Sequence, residues 1–169
     1  MGSVVLKAHF GDREKKWTIG GATFRASRYG LVVEVALVKR GEPELPPTPT
    51  WVPAIVDTGY SGEFAIAEDH LQLFGGRGTF PFKGWCTLTY ANAETGLGAI
   101  YDADIWIRSD DPQSPSFKLE LNPGFVVPEP RRGPAGHRIP VVGVSCLSRA
   151  KVVLMVHYGK LRFRLRKPA

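Results

Sequence analysis

The run "GLVVEVALVKR" at residues 30–40 limits this chain more than any other stretch. It is apolar and rich in β-branched valine, which favours a strand over a helix. One strand cannot hide its own faces, so it needs partners, and the chain supplies them at short intervals. "WVPAIVDTG" (51–59), "FKLELN" (117–122), "RIPVVGV" (138–144) and "KVVLMVHYG" (151–159) have the same character. "WCTLTYA" (85–91) and "AIYDADIWI" (99–107) flank the turn-rich "NAETGLG" and predict a hairpin with a long tip. "KLRFRLR" (160–166) alternates basic and apolar residues with period two, so it is a strand with one basic face. It meets the strand before it at Tyr158-Gly159-Lys160, a hairpin turn.

Only "AIAEDHLQLFGG" (65–76) carries helical spacing, with Gly75 and Gly76 to stop it. Two segments are proline-rich. Residues 41–50 hold Pro43, Pro46, Pro47 and Pro49, and residues 108–138 hold Pro112, Pro115, Pro123, Pro128, Pro130 and Pro134. Both are expected to be loop insertions. Strands that need one another lie on either side, so neither is a domain linker. The 169 residues are therefore expected to form one all-β domain with one short helix. Residues 1–29 form an N-terminal extension in which "KKWTIGGATFRAS" can make a hairpin of its own.

Composition excludes little. Apolar residues make up 43% and charged residues 22%, which is ordinary for a soluble domain. No apolar run is long enough to span a membrane. The N-terminus lacks signal-peptide features, so a cytoplasmic location is expected. Cys86 and Cys146 fit that compartment as two free thiols. The net charge of +6 permits an anionic partner. The basic strand at the end reads as a solvated outer face. The aromatic and glycine signatures of nucleic-acid modules are missing, so nucleic acid is not an expected partner.

The chemistry concentrates in "VPAIVDTGYSGEF" (52–64). An apolar strand, Ala54-Ile55-Val56, ends in the carboxylate of Asp57, and Thr58 and Gly59 turn the chain at once. Two carboxylates brought face to face cannot both ionise. They share a proton, and the pair can drive a water into a peptide carbonyl. Such a site needs glycine where backbone approaches substrate.

"IVDTGYSG" resembles the Asp-Thr-Gly segment of retropepsin-like aspartic proteases, the single-domain relatives of pepsin. In that family a second motif, two apolar residues and a glycine, follows close to the C-terminus. "IPVVGVSCLSRAKVVLMVHYGKLRFRL" supplies Val141-Val142-Gly143, then Leu147 and a closing hairpin, as bacterial members do. The resemblance spans roughly residues 30–166. It implies a closed barrel of six or more strands. It implies that Asp57 is the catalytic acid, that Thr58 braces a partner chain's backbone, and that Gly59 offers its backbone to substrate. Tyr60 and Ser61 complete that loop. Val141, Val142 and Gly143 buttress it. Asn92, Ala93, Glu94, Thr95, Gly96, Leu97 and Gly98 form the tip of a flap, with Tyr101 beneath. No metal and no cofactor are implied.

The chain departs from the family pattern in named places. Tyr60 stands where Ala or Ser is usual. Ser61 and Val144 stand where viral members carry an acid and a base that pair. The chain holds one Asp-Thr-Gly and no Asp-Ser-Gly, so two aspartates require a homodimer with one Asp57 from each chain. The expected activity is aspartic endopeptidase on a peptide or protein substrate. The alternative is a catalytically inactive barrel of the same type that binds peptide or builds a dimer.

Other motifs fail on chemistry. "GYSGE" ends in Glu where a nucleophile elbow needs Gly, and "GGRG" (75–78) has no GK[ST] after it. His9, His70, His137 and His157 are scattered without metal-ligand spacing. Asp102 and Asp104 read as one solvated strand face.

Overall fold

A computed structural model describes residues 4–5, 10–90, 92–110, 113, 115–130 and 139–167. Parts of the N-terminal extension and of the 108–138 segment, including the expected surface loop over 131–138, lie outside the described residues.

The strands are β1 (Val4–Val5), β2 (Lys15–Ile19), β3 (Ala22–Ala26), β4 (Val32–Val38) and β5 (Val52–Val56). β6 (Phe64–Ala65), β7 (Phe82–Thr89), β8 (Thr95–Tyr101), β9 (Asp104–Ile107) and β10 (Phe117–Glu120) follow. β11 (Phe125–Pro128), β12 (Val141–Val142), β13 (Val153–His157) and β14 (Arg162–Arg166) complete the set. Two short helices, α1 (Glu68–Leu71) and α2 (Val144–Arg149), interrupt them.

Nine strands form the main sheet in the order β10-β9-β4-β5-β12-β6-β11-β8-β7. β4 lies well inside it, between β9 and β5, and all its residues but Glu34 are buried. That is why its sequence is continuously apolar rather than alternating. Two smaller sheets stand apart, β2-β3 and β1-β14-β13. The turn between β2 and β3 is Gly20-Gly21 with φ of 54° and 82°, a left-handed backbone that suits glycine.

The expected closed barrel is not formed. Closure requires the two end strands to pair, whereas among the described residues β10 bonds only β9 and β7 bonds only β8. β7 is left at an edge of the sheet. No residue of it is buried, and Phe82 and Trp85 are exposed. β13 and β14 do not join the main sheet, because β14 pairs with β1 and β13.

The 108–138 segment is not a loop throughout. β10 is the strand expected over 117–122, buried at Phe117 and Leu119, whereas β11 was not expected and lies between β6 and β8 with Phe125 and Val127 buried. The prolines there mark joints and the end of β11. The helix expected over 65–76 is also shorter. Phe64–Ala65 is drawn into the sheet between β12 and β11, so only Glu68–Leu71 is α-helical, followed by a 3-10 turn over Gln72–Phe74. Gly75, with φ of 89°, ends that turn.

One apolar core links the elements. Phe64, Phe125, Ile66, Ile105, Ile107, Leu119 and Leu121 are fully buried within it. Each such side chain contributes about 1.5–3 kcal/mol relative to exposure.

Candidate active site

β5 fixes Asp57. The strand is clamped on both sides, antiparallel to β4 (Val33↔Ala54) and parallel to β12 (Val141↔Ile55, Val142↔Val56). Ala54 and Val56 are buried, and the next residue, Asp57, is exposed. Its backbone N–H donates to the carbonyl of Val142 at 3.0 Å, so the two motifs, far apart in sequence, meet at the point where the strand ends. The turn then closes on the acid itself. Gly59 N–H donates to Asp57 Oδ1 at 2.8 Å, and Tyr60 N–H donates to the Asp57 carbonyl at 3.2 Å. This is the local turn an aspartate side chain favours. Among the described residues the Asp57 carboxylate enters no ion pair, and the Thr58 hydroxyl has no hydrogen-bond partner within the chain. Thr58 and Gly59 are exposed beside it.

The second motif presses against the first. Gly143 N–H donates to the Glu63 carbonyl at 2.8 Å, and Val144 N–H donates to the Tyr60 carbonyl at 3.0 Å. Ser145 Oγ donates to the Ser61 carbonyl. A Cβ on Gly143 would overlap the carbonyl oxygen of Gly62 and stand 2.7 Å from the Tyr60 ring. Gly143 is therefore required by close approach, not by its φ of −89°. Gly62 is held the same way, since its Cβ would run into the Tyr60 ring.

Tyr60 lies against both glycines. Burial, with smaller contributions from neighbouring Cys86, Cys146 and Glu63, pushes its phenol up to about 12. Cys86 belongs to β7 and Cys146 to α2, so the ring stands where the Asp57 loop, the hairpin and the helix converge. The large residue that departs from the family pattern is thus half-buried, its ring packed on Gly62 and Gly143.

Sequence reasoning missed Glu63. This buried acid accepts from Arg149 Nη1 at 2.9 Å and again from Arg149 Nη2, and Asn122 N–H approaches it at 3.4 Å. Arg149 Nη2 also donates to the Glu120 carbonyl at 2.8 Å. The fork ties the Asp57 loop to α2 and β10. A signal was present: an acid directly before a buried strand, with an arginine six residues beyond Gly143. The helix that carries Arg149 was not expected, because 144–149 reads as the approach to a strand.

The β7–β8 hairpin pairs in register from Thr89↔Thr95 to Gly84↔Ile100 and has a bulge between Phe82 and Gly84. Its tip is the turn in which Ala93 N–H donates to the Tyr90 carbonyl and Tyr90 N–H to the Glu94 carbonyl, both at 2.9 Å. Asn92, Ala93 and Glu94 lie in that turn, whereas Thr95, Gly96, Leu97 and Gly98 already belong to β8, opposite Thr89 to Cys86. The tip is therefore shorter than the sequence suggests. A Cβ on Gly98 would stand 2.5 Å from a Val126 methyl carbon on β11, 3.1 Å from a Leu88 methyl carbon and 3.3 Å from Cys86 Sγ, so this face of the hairpin has no room for a side chain there. Tyr101, at the base, stacks on Phe125 at 5.6 Å and meets Phe82 edge-on at 5.7 Å.

Asp102 and Asp104 are not a solvated face. Asp104 is buried, 3.3 Å from Arg40 Nη1 and 4.0 Å from Lys118 Nζ, and it accepts from Leu121 N–H at 3.3 Å. Arg40 also bonds Asp102. This network sits at the start of β9. Among the described residues no group of three His, Cys, Asp or Glu stands close enough to hold a metal ion. His70 is buried, its Nε2 2.8 Å from the Thr23 carbonyl and its ring stacked on Phe24.

No protein-family model and no curated protein sequence matches this chain. Among the described residues no helix is long and apolar enough to cross a membrane.

Proposed function

We propose that the chain is an aspartic endopeptidase that works as a homodimer. The observation that carries this reading is the bond from Asp57 N–H to Val142, which joins an exposed acid on a rigid strand to the glycine loop the resemblance calls for. One chain offers one such acid, so a second copy supplies the other. The two Asp57 carboxylates share one proton. The ionised one takes a proton from water as the water oxygen attacks the peptide carbonyl. The protonated one donates to the carbonyl oxygen. Collapse of the resulting diol returns a proton to the leaving nitrogen. The unpartnered Thr58 hydroxyl is available to bond the partner's backbone, and the Tyr90–Glu94 turn is the closing element. Tyr60 stiffens the loop from behind.

The test is cleavage of a peptide library between about pH 3 and pH 7. Wild type should cleave and be stopped by a statine-type inhibitor, and Asp57→Asn should cleave nothing while keeping the wild-type melting temperature. Absence of cleavage by wild type, or a strictly monomeric mass under assay conditions, overturns the shared-site mechanism. A second reading, a module that binds peptide without hydrolysis, draws on the exposed Trp85 and Leu97 of the hairpin. It predicts peptide binding that Asp57→Asn leaves intact and no hydrolysis by wild type.

A further inference from the structure

The small sheet β1-β14-β13 has an outer face of unusual make-up. Along β14, Phe163 and Leu165 are buried while Arg162, Arg164 and Arg166 are exposed. Directly opposite them on β13 stand His157, Met155 and Val153, all exposed. One face thus carries a row of three arginines beside a row of two aliphatic side chains and a histidine. Among the described residues these arginines enter no ion pair. Among the described residues β13 also pairs with β14 alone, so its other side is an open strand edge.

We propose that this edge and this face together bind an extended acidic peptide segment as an added strand beside β13. The edge supplies main-chain hydrogen bonds, and the arginines supply charge complementarity. The geometry fits that occupant. Arginines two residues apart on a strand repeat every ~6.8 Å, and acids at alternate positions of an extended peptide repeat at the same interval. Strands lie ~4.8 Å apart, so the added strand's backbone would be about 10 Å from β14. Long guanidinium and carboxylate side chains meet over Met155 and Val153 across that gap, and the aliphatic surface beneath lowers the local dielectric. Single-stranded nucleic acid fits less well, because it offers no backbone amides to pair with the open edge of β13, although exposed His157 and its neighbour Tyr158 present rings to a base. A second copy of β13 brings no carboxylate, since its sequence is Val-Leu-Met-Val-His.

The experiment uses the full chain and a fluorescent peptide with Glu at alternate positions and Thr or Val between. Saturable binding that weakens steeply with salt is expected. Replacing Glu by Lys in the peptide should abolish it. N-methylating alternate peptide nitrogens on the edge-facing side should weaken it at least about tenfold, since it removes the main-chain donors. The protein variant R162E/R164E should weaken it at least about tenfold with an unchanged melting temperature, whereas Asp57→Asn should bind as wild type does. No binding, indifference to N-methylation on either register, or tighter binding of an oligothymidylate or of anionic vesicles than of the peptide would overturn the proposal. Should R162E/R164E fail to fold, Arg164→Gln at reduced salt serves in its place, and unchanged affinity there counts against it. Because Asp57→Asn does not enter this site, failure here leaves the catalytic reading standing, and the reverse also holds.

Discussion

Asp57 donates its backbone N–H to the carbonyl oxygen of Val142 at 3.0 Å. The bond extends the parallel pairing of β5 with β12 by one residue beyond the last strand position. It sets where the carboxylate begins, and Gly59 N–H then fixes one oxygen. What stands behind this point decides how firmly the acid is held.

Gly143 is the tightest position behind it. Gly143→Ala must push the Gly62 carbonyl and the Tyr60 ring aside, so the two loops separate. A loss of about 2–4 kcal/mol in urea unfolding is expected. Gly78→Ala, with open space around it and no positive φ, should change stability by about 0.5 kcal/mol or less.

Arg149 neutralises a buried acid. Arg149→Met leaves Glu63 buried without its partner, and a loss of about 2 kcal/mol is expected for a pair whose arginine is partly exposed. Glu63→Gln with Arg149→Met should cost less than the sum of the single changes, which a double-mutant cycle will read. Additive losses would show that the fork does not couple the loop to α2.

Tyr60 sets a pH dependence. Its phenol ionises near 10 when unfolded and is pushed up to about 12 in the fold, so the folded state disfavours the phenolate. The sign follows from linkage: the stabilisation is complete below pH 10 and is lost as pH rises from 10 to 12. Wild type should therefore lose stability relative to Tyr60→Phe across that window and match it below. Equal pH profiles would place the hydroxyl in water. Tyr60→Ala should cost about 1–2 kcal/mol at neutral pH, as a half-buried ring packed on Gly62 and Gly143 is removed.

Much of the strand content was legible. β4 and β5 are apolar runs with a core on both sides, and β14 shows its two faces by alternation alone. The meeting of Asp57 with Val142 was legible only through a family pattern, since nothing local in either segment names the other. Closure of the sheet was not legible. Whether end strands pair depends on register and curvature, which no single strand encodes, and β7 is left at an edge. β11 was hidden because Pro123 and Pro128 look like a loop while Phe125 and Val127 fill the core between them. α2 was hidden because its six residues gain their helix from docking Cys146 and Leu147, not from propensity.

The central claim is that one Asp57 from each of two chains makes the site. Subunit mixing measures it most directly. Wild type and Asp57→Asn are combined at fixed total concentration, allowed to exchange, and assayed on a peptide that wild type cleaves. With one acid per chain, only dimers of two wild-type chains act, so activity follows the square of the wild-type fraction and falls to about one quarter at equal mixing. Activity that falls in simple proportion, to about one half, would mean that each chain works alone and would contradict the account.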